Sequence, residues 1–348
     1  MESFISISKE KNTMNERLKP NVTDYAPVND LHMYYEMYGS GQPLVLLHGG
    51  MTTLEDFSLV LPSFSRTRQV IAFERQGHGH TADIDRPFSL EQWADDVAAL
   101  LKYLNIEQSD IFGYSTGGTV ALAFALRHPT MVRKLVLASA IYNSEGYYPG
   151  VLEGLRHMKA ENLPPIMREM YMKVAPRPQD WEALVEKSVK LAATFTGWQK
   201  KEIRTISAPT LVMVGDSDTI RTEHAVELYR LIPHAKLAVL PATDHIAILS
   251  QRAEWVVEMI NEFLNAPESE ETQPGQTLSQ ADGQESDLPK SIGRPATNAL
   301  LAAGYTRLER LTQVREVDIK QLHGVGPKAI TILRAALAEK GLSFADKG

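Results

Sequence analysis

The residues best suited to chemistry in this 348-residue chain form the run Gly113-Tyr114-Ser115-Thr116-Gly117. This G-x-S-x-G pattern stands directly between an apolar strand-like run, SDIFGY, and a helical stretch, TGGTVALAFALRH. There the small residues let the chain turn sharply from strand to helix, which leaves the Ser115 hydroxyl exposed at the carboxyl edge of a sheet. A serine hydroxyl is a weak nucleophile at neutral pH and needs an adjacent base, usually a histidine. Of the ten histidines, His245 lies in the loop PATDH, after the apolar run AKLAVL and before the last amphipathic stretch. That puts it at the same sheet edge. A third group must orient the imidazole, and Gly215-Asp216-Ser217-Asp218 follows the preceding strand TLVMV. Position alone leaves Asp216 and Asp218 both open. The Thr116 amide, at a helix amino terminus, is placed to stabilise negative charge on an attacked acyl group.

Such groups have to be carried by a sheet. Short apolar runs at 44–47, 70–73, 110–114, 134–139, 210–214 and 236–240 predict parallel strands, and Leu31 to Tyr38 predicts an edge strand before Gly39. Helical patterns at Ser89 to Leu104, Thr116 to Arg127, Thr222 to Leu231 and Ala247 to Leu264 alternate with them, which predicts an α/β sheet. The alternation stops between Ile141 and Trp198, where helical pieces are punctuated by Pro164, Pro165, Pro176 and Pro178. This stretch, about 141–200 and rich in Met and Tyr, predicts a helical insertion, either a lid over an apolar pocket or a unit packing its own core.

Four motifs make residues 24–265 resemble an α/β-hydrolase. They are His48-Gly49-Gly50 after the first core strand, the loop Arg75-Gln76-Gly77-His78-Gly79-His80, the turn around Ser115, and Asp218 and His245 after the last two strands. The order Ser, Asp, His is that family's order. The resemblance implies a mostly parallel sheet with a helical lid, and a catalytic triad of Ser115, His245 and Asp218, choosing Asp218 over Asp216. It also implies an oxyanion hole from the amides of Gly50 and Thr116, with Met51 as the alternative to Gly50. The implied reaction is cleavage of an ester, lactone or related acyl bond through an acyl-enzyme; a related C–C hydrolase or perhydrolase would carry the same motifs. Two departures from the family pattern are Gln76, an extra residue after Arg75, and Ala242-Thr243-Asp244 in place of a glycine-rich approach to His245. The reading calls for no cofactor. His78 and His80 have no third ligand cluster beside them, so no metal is expected, and His48 and His78 read as structural parts of loops near the site.

Composition narrows the setting. There is no cysteine, which excludes disulfides, thiolate catalysis and cysteine-ligated zinc and makes the cytoplasm the expected compartment. The start of the chain lacks the basic and apolar regions of a secretory signal. Apolar runs such as 44–47 fall far short of the roughly 20 residues that span a bilayer, so no membrane partner is expected. The net charge of −7 hides an asymmetry: from residue 289 on there are ten Lys/Arg against five acids, +5, which leaves −12 for the rest. The expected organisation is an arm (1–23), the hydrolase-like domain (24–265), an acidic linker (266–288) with six acids and no basic residue, and a basic module (289–348).

Within the last module, Leu322-His323-Gly324-Val325-Gly326-Pro327-Lys328-Ala329 reads as a glycine-rich turn between helices, which can offer backbone N–H groups to a phosphate. Residues of about 290–345 resemble an all-α helix-hairpin-helix domain, most closely the carboxyl-terminal domain of the RNA polymerase alpha subunit. The resemblance implies DNA-backbone contacts by Asn298, Gly326 and Lys328. Gly324 belongs to the same hairpin, and Arg294 stands one residue before the position of the family's arginine, which is Pro295 here. The expected partners are therefore a small acyl substrate and, through the tail, a nucleic acid or a protein. The rival expectation is a DNA-associated or regulatory protein whose hydrolase-like domain binds a ligand without turnover; an intact triad argues against it.

Overall fold

The structure is a computed structural model that describes residues 18–267 and 287–345 apart from His323, and these fall into two compact units. The larger carries an eight-stranded sheet: β1 (Val22–Val28), β2 (Leu31–Tyr38), β3 (Gln42–Leu47), β4 (Arg68–Phe73), β5 (Ser109–Tyr114), β6 (Val132–Ala138), β7 (Thr210–Gly215) and β8 (Ala235–Leu240). The strand order is β1-β2-β4-β3-β5-β6-β7-β8. Strands β3 to β8 are mutually parallel, while β2 is antiparallel to both β1 and β4.

The central strands are apolar throughout because both faces are covered. Alternation sends Val45, Ile71, Ile111 and Val212 to one side, under α1 (Leu90–Tyr103), α2 (Thr116–Arg127) and α6 (Thr222–Leu231). It sends Leu44, Leu46, Phe112 and Val136 to the other, where α7 (Ala253–Asn265) packs Val256, Ile260 and Phe263 on them. The carboxyl end of α7 is fixed from beneath: buried Lys134 donates to the carbonyls of Phe263 (3.0 Å), Leu264 (3.3 Å) and Ala266 (2.5 Å). A cation at a helix carboxyl terminus meets both the orphan carbonyls and the negative end of the macrodipole.

One expectation is corrected. Leu31–Tyr38 is not the edge strand; the edge is β1, which begins at Val22, inside the segment read as an arm. The first four residues of β1 are exposed, so it offers no apolar run to read. Its partner is set by a two-residue turn, Asn29-Asp30, with both residues at positive φ (48° and 65°), a geometry that matches hairpin twist. Tyr25 of β1 then packs edge-on against Tyr34 of β2, with centroids 5.3 Å apart.

Between β6 and β7 the chain forms α3 (Pro149–Arg156), α4 (Pro165–Val174) and α5 (Trp181–Thr194). This layer buries little of its own. Trp181, Leu184 and Val185 of α5 and Tyr171 of α4 are buried, α3 has no buried residue, and Ile166, Met170 and Met172 are exposed. Its apolar side chains instead line cavities over the carboxyl edge of the sheet. Among the described residues no helix is long and apolar enough to cross a membrane.

The smaller unit holds α8 (Arg294–Ala302), α9 (Glu316–Lys320) and α10 (Pro327–Glu339), with 3-10 turns before α8 and between α8 and α9. Leu300, Leu308, Leu311, Ile319, Leu333 and Leu337 form its core.

Candidate active site

Ser115 stands between the last residue of β5 and the first of α2, at φ 55° and ψ −123°. A non-glycine residue rarely adopts such a conformation, and the surroundings must hold it. The Ser115 amide donates to the Ala138 carbonyl (2.8 Å), and the Thr119 amide donates to the Ser115 carbonyl (3.1 Å). The turn also demands glycine at 117, where a Cβ would lie 2.0 Å from the carbonyl oxygen of Leu47. Helix α2 therefore starts in contact with β3, and the Ser115 side chain points out at the sheet edge.

There it meets His245. The Ser115 Oγ is 2.9 Å from His245 Nε2, and His245 Nδ1 is 2.7 Å from Asp218 Oδ1. With an ionised Asp218, the imidazole donates from Nδ1 and accepts the serine proton at Nε2, the tautomer a general base needs. The Asp218 side chain is wholly buried. Burial alone would raise its pKa, but hydrogen bonds from His245, Ser139 and the Ile220 amide outweigh burial and hold it below the usual value. Ser139 Oγ donates to the second oxygen at 2.5 Å and the Ile220 amide to the first at 3.0 Å. Ser139 itself is at φ 53°.

The aspartate left open by position has another task. Asp216 accepts from the amides of Ala242 (2.9 Å) and Thr243 (3.1 Å), fixing the loop that leads to His245. The Asp244 carboxylate accepts from Ile246 (3.0 Å) and Ala247 (2.8 Å), starting the turn that follows. The Tyr114 hydroxyl donates to the His245 carbonyl at 2.8 Å, so the residue before the serine also holds the histidine's backbone. Sequence reasoning passed over Tyr114 and Ser139. The signal was positional: each stands at the carboxyl end of a strand, at the edge where the site had to be.

Gly50 and Thr116 are brought together: a Cβ on Gly50 would lie 2.8 Å from Thr116 Oγ1. The Met51 amide is committed elsewhere, donating to His78 Nε2 at 3.3 Å. The loop is clamped from behind by buried Arg75, which donates to the carbonyls of His48 (2.6 Å) and Gly49 (2.5 Å), and by Asp56, which accepts from the Gly49 amide (2.8 Å). The extra residue Gln76 is buried and braces the connection between β4 and α1, donating to Asp83 (2.7 Å) and the Arg86 carbonyl (2.8 Å). His78 and His80 do not converge, since His80 is bound to Glu74 (2.9 Å) while His78 faces Met51. No group of three or more His, Cys, Asp or Glu suited to a metal occurs among the described residues.

A cavity opens from Gly50 and Thr116 and runs under the insertion, where Leu152, Met158, Leu191 and Phe195 form its far wall. Together these parts place a serine hydroxyl, an imidazole and a carboxylate in one hydrogen-bonded series, an arrangement suited to general-base activation of a hydroxyl.

In the smaller unit, Gly324 is at φ 97°, and a Cβ there would lie 2.9 Å from the Pro295 carbonyl. The hairpin thus packs on the start of α8, which carries Arg294 and Asn298, while Gly326 caps α10 two residues before Lys328. Several other basic residues are paired within the unit: Arg315 with Asp318, Lys320 and Arg334 with Glu316, and Lys340 with Asp287.

Burial, helped by the Arg75 charge, drives the His78 pKa down to about 3, and His48 is likewise held well below its ordinary value. From near 6.5 downward the unfolded chain binds protons that these folded imidazoles refuse, so stability falls with pH in that window. In urea unfolding, His78→Gln should lose less stability than wild type between about pH 7 and about pH 4.5; an equal loss would contradict a neutral, buried His78.

The chain matches the alpha/beta hydrolase family over residues 44–259. It is 30% identical over 257 residues to the 2-hydroxy-6-oxo-2,4-heptadienoate hydrolase of Pseudomonas putida, covering 66% of this chain and 91% of that protein. It is 28% identical over 251 residues to the non-heme haloperoxidase of Rhodococcus erythropolis, covering 61% of this chain and 89% of that one. The enol-lactonase of Burkholderia xenovorans shares the fold, with a TM-score of 0.58 at 22% identity over 70% of this chain and all of that one. With its sheet, its ordered motifs and these relatives taken together, the chain belongs to the alpha/beta hydrolase family and is a hydrolase.

Proposed function

We propose that the larger unit is a serine hydrolase that cleaves an ester, lactone or related acyl bond through an acyl-enzyme. The observation that carries this reading is the unbroken chain from Asp218 through His245 to Ser115, with links of 2.7 and 2.9 Å. His245 takes the Ser115 proton as Oγ bonds to the acyl carbon, and the amides of Gly50 and Thr116 receive the oxyanion. Collapse of that intermediate breaks the bond to the leaving alkoxide, which takes the proton from His245. Water then gives its proton to His245 and attacks the acyl-enzyme, and the proton returns to Ser115 as the carboxylic acid departs. The dienoate hydrolase to which the chain is 30% identical supports hydrolysis at an acyl carbon. With p-nitrophenyl esters, Ser115→Ala should lower kcat/KM by roughly 10^4-fold or more, and Asp218→Asn by at least about 100-fold. Retention of most activity by folded Ser115→Ala would remove the nucleophile from the account.

We also propose that the smaller unit is a helix-hairpin-helix module that holds a nucleic-acid backbone. Its support is the packing of Gly324 on Pro295, which puts the Gly326 and Lys328 end of α10 beside the Arg294 and Asn298 end of α8. Positive charge near a helix amino terminus suits a phosphate. In a gel shift with duplex DNA, the full chain should bind more weakly as salt rises, and Lys328→Glu should weaken binding with a shallower salt dependence. Absence of a shift at low salt would exclude this partner.

A further inference from the structure

The cavities of the larger unit say what charge the substrate can carry. The first, running from Gly50 and Thr116, is lined by apolar side chains and by Thr119, Ser144, Tyr147, Ser188 and His78, with no Asp, Glu, Lys or Arg among the described residues that line it. His78 supplies no cation there, because burial holds it neutral down to about pH 3. A second cavity reaches Met51 from the other side, and its charged members are Glu55 and Asp56. A third shares Leu90, Leu191 and Phe195 with the first, and its charged members are Glu91 and Glu202. None of the three has a Lys or Arg in its lining.

Two cations beside lining residues are committed elsewhere. Arg75 stacks on Trp93, its guanidinium 4.9 Å from the ring centroid and committed to the His48 and Gly49 carbonyls. Lys187, next to Ser188, reaches Asp83 (2.5 Å) and the carbonyls of Ile84 and Arg86 (both 3.0 Å). A carboxylate entering either side of the site would lose its hydration shell and find hydroxyls or other carboxylates in place of a cation. An ion left unpaired in that way is strongly disfavoured.

We propose that this enzyme takes an uncharged, mainly apolar ester or lactone, and that it rejects carboxylate-bearing substrates such as the dienoate for which its Pseudomonas putida relative is named. The inference rests on the serine-hydrolase reading and specifies the substrate of that same site. The two halves of the substrate meet the same restriction, because the cavities on both sides of Met51 lack a cation. Specificity of this kind comes from the penalty on the wrong substrate as much as from contacts with the right one.

The test compares two esters of equal length: the p-nitrophenyl ester of adipic acid with its far end free, and the same compound with that end capped as a methyl ester. The capped, neutral ester should have a kcat/KM roughly 100-fold or more above that of the free acid. Met158→Lys and Leu191→Arg each put a cation on a half-buried position of the pocket wall. Either variant should shrink the preference by about tenfold or more by raising turnover of the free acid. If wild type turns over both esters within about threefold, with both activities lost in Ser115→Ala, the hydrolase reading stands and the charge inference is overturned. If folded wild type hydrolyses neither ester nor the dienoate, the hydrolase reading fails and the inference falls with it. Turnover of the dienoate alone would overturn the inference directly.

Discussion

The close approach of α2 to β3 at Gly117 is the contact on which the reacting geometry rests. The gap there admits a hydrogen atom and nothing larger, since a Cβ would come within 2.0 Å of the Leu47 carbonyl. Because the helix begins so near the sheet, the chain must turn within a single residue, and Ser115 takes a backbone conformation that an L side chain seldom occupies. Local strain of this sort survives only inside a rigid frame. Here the frame is a sheet covered on both faces, with the far end of its last helix fixed by buried Lys134.

From that turn outward, each group at the sheet edge is held by a second one. Asp218 orients His245 and is itself held by Ser139 and the Ile220 amide. The His245 backbone is held by Tyr114, and the loop that delivers it by Asp216. The Gly50 loop is clamped by Arg75 and Asp56. Catalysis by fixed donors and a fixed base needs them in place before the substrate arrives. The polar groups around the site serve that fixation.

Much of this was legible in the sequence, and what escaped did so for physical reasons. The buried strands announced themselves because two covered faces require unbroken apolar runs, and α2 and α6 begin and end where their patterns do. The edge strand β1 was missed because five of its seven residues face solvent. Asp216 and Asp218 stand in the same loop after β7 and differ in what they meet across the edge: two amides for one, an imidazole for the other. Tyr114 and Ser139 were missed because their partners lie 131 and 79 residues away, a relation no local pattern encodes. In the smaller unit the packing of Gly324 on Pro295 was not legible, because it joins residues far apart in sequence.

The central claim is that Ser115, primed by His245 and Asp218, is the nucleophile. Its most direct test is to treat the folded protein with a fluorophosphonate and locate the adduct by peptide mass spectrometry. The account predicts one phosphonyl group per chain, on the peptide containing Ser115, with labelling slowed severely in His245→Ala. No adduct on folded protein, or an adduct on another residue with Ser115 unmodified, would contradict it.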